Sequence, residues 1–287
     1  MANSQAALEA DWLGACRRAT EGLRGVLSDH PTSHERVEET GERGEGGDRT
    51  LVIDQAAEDG IFAELEGLHD GGARFSALSE ERGSVDFGDD GILVVIDPID
   101  GSTNAKRGLP HIGISIAVAD GPTMADVQFG FVADLSTGEE WVARRGAGVL
   151  FNGEPLHQPA PPERRTKNGK LEVVAIEQAD PQWLVPAAGR LAEHVHRLRI
   201  MGSIAISLCQ VASSRVDGMV ALWRTRSVDC AAAQLVVRES GGHVAFPGFA
   251  DGPLAAPLDC EPRAPIVAAR TEQGLAELTT VVDWQDA

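Results

Sequence analysis

Apolar residues recur along this chain in two rhythms. Leu8, Trp12, Cys16, Ala19, Leu23 and Val26 return every three or four positions with charges between them, which predicts an amphipathic helix. Ala57, Ile61, Leu65 and Leu68 predict a second. Ile112, Ile114, Ile116 and Val118 alternate with their neighbours, as in a strand, and residues 127–132 and 140–143 read as its partners. Residues 92–96 are apolar throughout, the mark of a central strand buried on both faces. Shorter extended segments are predicted at 51–53 and 75–78. Residues 35–49 are rich in Glu, Gly and Arg and read as a solvated loop, either a surface connector or a lid.

The second half alternates strands with helices. Strands are predicted at 171–176, 198–201, 216–222, 243–246 and 266–269. Helices are predicted at 183–195, from a Ser203 cap through 211, at 229–239 and at 271–281. Residues 158–170, rich in Pro and charge, read as a linker. Meandering strands followed by strands alternating with helices argue for layered, mixed α/β sheets.

Charge changes this picture most. The 287 residues carry 25 Lys and Arg against 44 Asp and Glu, a net −19. Such a surface repels nucleic-acid phosphates and anionic membranes, so neither is an expected partner. A small anionic substrate remains compatible, because a bound cation can reverse the local sign. The four cysteines form no CxxC pair, and no apolar run is long enough to span a membrane. With no signal peptide evident at Met1, the expected location is cytoplasmic.

The acidic residues are placed suggestively. Asp54, Glu80, Asp97 and Asp100 each follow an apolar segment predicted as a strand. Strand ends in layered α/β proteins border ligand crevices. Carboxylates converging there need a cation, and oxygen donors select a hard one, Mg2+ before zinc. Between Asp97 and Asp100, Pro98 fixes the turn and leaves the Ile99 carbonyl free to join them. Gly101-Ser102-Thr103-Asn104 then predicts a helix start capped by Ser or Thr, whose exposed N–H groups suit a phosphate.

The string Asp97-Pro98-Ile99-Asp100-Gly101-Ser102-Thr103-Asn104 resembles the signature of the inositol monophosphatase family. Ser79-Glu80-Glu81, Leu51-Val52-Ile53-Asp54, Gly202-Ser203-Ile204-Ala205 and Val228-Asp229-Cys230-Ala231-Ala232, the last followed by Glu239-Ser240-Gly241-Gly242, resemble its other elements in family order. The resemblance implies an αβαβα sandwich, a single domain over 1–287 with subdomains of about 1–160 and 171–287, and a homodimer. It implies two or three Mg2+ held by Glu80, Asp97, Asp100, Asp229 and the Ile99 carbonyl. Asp54 and Ser102, with Glu80, match the catalytic groups around the attacking water. Asp100, Gly101, Ser102 and Thr103 match the phosphate side, and Gly202 and Ser203 the loop facing the alcohol.

Two departures bear on the substrate, a small phosphorylated metabolite. Leu222 stands where inositol-specific members carry a glutamate, and Arg224 and Arg226 follow it, where they could clamp a second phosphate bidentately. The implied activity is hydrolysis of inositol 1-phosphate or a related sugar phosphate, with fructose-1,6-bisphosphatase, alone or as a second activity, as the alternative. Nucleotide 3′-phosphates, NADP and histidinol phosphate are further substrates to weigh. A relative that binds metal but has lost turnover is the alternative outside enzymes.

Overall fold

The structure is a computed structural model and describes residues 6–37, 39–43, 49–88, 91–156 and 162–282. Its frame is an eight-stranded sheet in the order β10-β9-β8-β7-β6-β5-β3-β4. The strands are β3 (Phe75–Ser79), β4 (Gly83–Phe87), β5 (Leu93–Asp100), β6 (Gly113–Ala119), β7 (Val127–Asp134), β8 (Glu140–Arg144), β9 (Gly148–Phe151) and β10 (Glu154–Pro155). Only β3 and β5 pair in parallel; the other neighbours are antiparallel. A five-stranded sheet follows in the order β12-β11-β13-β15-β14: β11 (Leu171–Glu177), β12 (Val195–Arg199), β13 (Gly218–Ala221), β14 (His243–Ala245) and β15 (Val267–Ala269).

Strand pleat divides the apolar residues between layers. Val94 and Ile96 of β5 and Ile116 and Val118 of β6 pack with Trp12 and Leu23 of α1 (Trp12–Asp29) and Ile53 and Ile61 of α2 (Val52–Asp70). Val95, Ala117 and Ala119 face the other way, onto Leu208 of α5 (Ile204–Ala212) and Ala232 and Leu235 of α6 (Ser227–Glu239). Ala175, Met219 and Ala268 of the smaller sheet complete that middle layer. Its outer face, with Val174, Ile176 and Val220, packs on Leu191 of α4 (Pro181–His194) and Leu278 of α7 (Glu272–Thr279). The result is the expected αβαβα layering.

The middle helices are buried all round, which explains their small residues. A Cβ on Gly130 of β7 would lie 2.6 Å from the Ala232 carbonyl oxygen, so glycine there lets α6 settle on the sheet. Each large side chain fully buried in these layers contributes about 1.5–3 kcal/mol. No helix among the described residues is long and apolar enough to cross a membrane.

Several local expectations change. The predicted strand at 51–53 ends at Leu51, in β2 (Arg49–Leu51), and Val52 and Ile53 open α2. Most of the predicted loop at 35–49 is ordered: a 3-10 turn at Glu35–Val37 precedes β1 (Glu39–Arg43), which pairs with β2. Residues 38, 44–48 and 157–161 lie outside the described residues, and the last of these stretches includes the start of the predicted linker, 158–161. The strand expected at 198–201 runs instead over Val195–Arg199, because α4 stops at His194. Strands β4, β9 and β10 were not anticipated.

Candidate active site

The β5 strand carries the signature directly into the site. It does not end at Asp97 but continues to Asp100 with one extra residue: Asp97 faces Ser115 and Asp100 faces Gly113. This bulge forms where Pro98 lacks an N–H. Asp97 Oδ1 accepts the N–H of Ile99 at 3.0 Å, tightening the kink. Then α3 (Ser102–Arg107) begins. Its N-cap is Gly101, not the expected Ser or Thr, and no side chain caps it. Gly101 has φ +92°, and a Cβ there would lie 2.7 Å from the His111 carbonyl oxygen. Only glycine turns the chain this sharply without strain. Ser102 Oγ is then free to donate to the Ile99 carbonyl, 3.0 Å away.

Three carboxylates from distant segments meet beside this turn. Oxygens of Glu80, Asp97 and Asp229 lie within 4.8 Å of one another. Glu80 follows β3, and Asp229 sits in the first turn of α6. Asp100 lies next to them but is fastened to α5: Oδ2 accepts Ser203 Oγ and the Ala205 N–H, both at 2.6 Å. Ser203 caps α5 as expected, yet its hydroxyl is buried and spent on Asp100, so it does not line the crevice.

Burial acts on every one of these acids, and neighbouring carboxylates add to it at Asp97, Asp100, Glu80 and Asp54. Burial pushes Asp97 well up, helped by Glu80, Asp100 and Asp229. Burial and Asp229 push Asp100 up to about 7, against the hydrogen bonds from Ser203 and Ala205. Glu80 is raised to about 7 by burial and Asp229, against the pull of Arg226. Asp229 is raised by burial despite Arg226. Asp54, in the first turn of α2, is raised to about 6 by burial, with Lys106 opposing. A set of oxygen donors this crowded and this reluctant to ionise fits a hard divalent cation, which would pay back the repulsion.

The crevice over these groups has a volume of about 700 Å³. It brings together Asp54, Glu80, Asp97, Ile99, Asp100, Gly101, Ser102, Thr103, Gly202, Arg226 and Asp229, all selected from the sequence. Arg224 is not among its lining residues. That guanidinium lies 5.5 Å from the Trp223 ring, and Trp223 stacks on Trp183 at 3.8 Å. Arg226 does line the crevice, but its Nη1 and Nη2 donate to Glu80 and Asp229.

Sequence reasoning missed the opposite wall. Glu177, Gln178 and Asp180 line the crevice from the end of β11, and Lys106 lines it from α3. Glu177 accepts from the Met201 and Gly202 N–H groups and from Ser207 Oγ, and burial raises it to about 7 against those bonds. Gln178 has φ +52°, a left-handed backbone unusual for its type. The missed signal was an acid directly after the apolar run at 173–176, the pattern that had singled out Asp97.

The sequence model of the inositol monophosphatase family matches residues 8–282. The chain belongs to the inositol monophosphatase family. A fructose-1,6-bisphosphatase/inositol-1-monophosphatase of Methanothermobacter thermautotrophicus is 31% identical over 90% of this chain and 91% of its own. The Nus factor SuhB of Haemophilus influenzae is 32% identical over 69% of this chain and 71% of its own. A solved inositol monophosphatase-fructose 1,6 bisphosphatase shares the fold, with a TM-score of 0.76 at 21% identity, covering 95% of this chain and all of that one (100%). The family is one of metal-dependent phosphatases acting on small phosphorylated substrates, and the acidic cluster agrees with that metal dependence.

Proposed function

We propose that the chain is a Mg2+-dependent phosphomonoesterase for a small polyol monophosphate, inositol 1-phosphate first among them. The convergence of Glu80, Asp97 and Asp229 beside the Gly101 turn carries this reading. Glu80, Asp97, Asp100, Asp229 and the Ile99 carbonyl hold the cations. A bound divalent cation supplies Lewis acidity, a water of lowered pKa and neutralisation of developing charge.

The residues of the chain do the rest by position. Asp54 accepts the proton of the attacking water; its N-terminal place in α2 and the Leu51 N–H, 3.4 Å away, fix the carboxylate. Ser102, anchored on Ile99, orients the same water through its oxygen. Backbone N–H groups of Ser102 and Thr103 hold phosphoryl oxygens, and Lys106 adds positive charge on that side. Phosphoryl transfer needs mainly such positioning and charge neutralisation.

The alcohol lies against Gln178, Asp180 and Gly202. An acidic wall suits a hydroxyl-rich or amine-bearing leaving group, so histidinol phosphate fits alongside inositol 1-phosphate. A second phosphate would meet Glu177 and Asp180 there, with Arg224 outside the crevice and Arg226 engaged. The bisphosphatase reading is favoured by the names of relatives such as the Methanothermobacter thermautotrophicus protein. Phosphate release from a panel of monoesters, with Mg2+ and with chelator, tests the proposal. Mg2+-dependent release supports it; a chain that binds Mg2+ yet releases phosphate from none of them is a silent relative.

A further inference from the structure

Arg226 is the N-cap residue of α6, three positions before Asp229. Its Nη1 donates to Glu80 Oε1 at 2.6 Å and its Nη2 to Asp229 Oδ1 at 3.2 Å. Its backbone N–H donates to Asp229 Oδ2 at 3.3 Å. The side chain is only 25% exposed, so these pairs are shielded from water. One guanidinium therefore grips two of the three carboxylates whose oxygens converge. It joins a residue after β3 to one on α6, groups that otherwise repel each other. Arginine keeps its proton at any working pH, so this cation is permanent.

We propose that Arg226 is a built-in counter-cation of the metal centre, one that takes carboxylate oxygens from divalent ions and limits how many the cluster loads. The proposal rests on the metal-dependent reading above. Glu80, Asp97, Asp100 and Asp229, when ionised, carry one negative charge each, and Arg226 cancels one of them. Two divalent ions then outweigh what remains, and the centre turns cationic toward an incoming phosphate. The carboxylates alone would need one ion more to do so. The arginine also holds Glu80 and Asp229 together before any metal arrives. It is a positioning residue with a charge role, and its donors are spent on the protein instead of on a second substrate phosphate.

Mn2+ binding without substrate tests this, by calorimetry and by counting bound ions through electron paramagnetic resonance. Wild type should take up no more than two Mn2+ per chain. Arg226→Gln should bind one ion more, or bind Mn2+ at least about tenfold tighter, and Arg226→Lys should keep the wild-type count. In chelator, Arg226→Gln should melt below wild type, and Mn2+ should restore it. Three ions bound by wild type would overturn the proposal without any variant. So would an Arg226→Gln protein with unchanged count and affinity, or with weaker binding, since the arginine would then only orient Glu80. Wild type binding no Mn2+ would instead remove the metal-dependent reading itself, and this inference with it.

Discussion

The two walls of the crevice are built differently. On the wall of the eight-stranded sheet, one unbroken stretch from Asp97 to Thr103 supplies the proposed ligands, the turn and the helix start, and Asp54, Glu80, Lys106, Arg226 and Asp229 join it from outside that stretch. On the wall of the five-stranded sheet, Gln178 and Asp180 follow β11, and Gly202 precedes α5. Glu177 ties those segments together through the Met201 and Gly202 N–H groups. The first wall is a device for one kind of chemistry, with each group fixed by a strand, a bulge or a helix start. The second is an assembly of loop residues, free to vary with the alcohol. On the proposed function, chemistry and selectivity sit on different walls and should fail separately.

The largest effect should come from the chemical wall. Asp97→Asn should lower turnover by at least about 1,000-fold, about 4 kcal/mol of transition-state stabilisation, with the fold intact. Phosphate release and circular dichroism check this together. Activity within tenfold of wild type would remove Asp97 from the metal site.

The acids of both walls should next reveal themselves through pH. Asp97 and Asp229 are raised, Glu80, Asp100 and Glu177 reach about 7, and Asp54 about 6. Raised carboxylates bind protons on folding between the ordinary range near 4 and these values. Metal-free protein should therefore lose stability as pH climbs from about 5 through 7, and Mg2+ should flatten that loss. Melting temperatures in chelator and in Mg2+ at pH 5 and 8 measure it. A flat profile in chelator would contradict the crowded-acid account.

Gly101→Ala forces a Cβ toward the His111 carbonyl in a left-handed turn. It should cost about 1–3 kcal/mol of stability and misplace Ser102, read as a lower melting temperature and reduced turnover. Arg224→Ala is the smallest change: lying over the Trp223 ring and absent from the crevice lining, Arg224 should alter kcat/KM less than twofold for monophosphate and bisphosphate alike. A selective loss on the bisphosphate would place Arg224 on the second wall after all.

This division also explains what the sequence made legible. The residues from Asp97 to Thr103 are contiguous, and their order reflects local geometry: an apolar strand, a proline kink, a glycine turn, a helix. Residues 112–118 showed their strand because the pleat sends alternate side chains into different apolar layers. Ser203 was readable as a cap, but not as a partner of Asp100, since that bond spans 103 positions. Arg226 looked like a substrate clamp for the same reason: Glu80, which holds it, lies 146 positions away. Leu51-Val52-Ile53 read as a strand from its apolar run, whereas Val52 and Ile53 open α2, where Ile53 packs in the layer shared with α1 and β5. The β4 segment Gly83–Phe87 does alternate, with Val85 and Phe87 on one face and Ser84 and Asp86 on the other, but five residues are too short a run to stand out.

The most direct test of the central claim, that the second wall selects an uncharged or cationic alcohol, is kcat/KM for inositol 1-phosphate against fructose 1,6-bisphosphate. Both are measured with Mg2+ on the same wild-type preparation. The account predicts that the monophosphate is preferred by tenfold or more. A tenfold preference for the bisphosphate would contradict it and require a cation facing the second phosphate where the structure places Glu177 and Asp180.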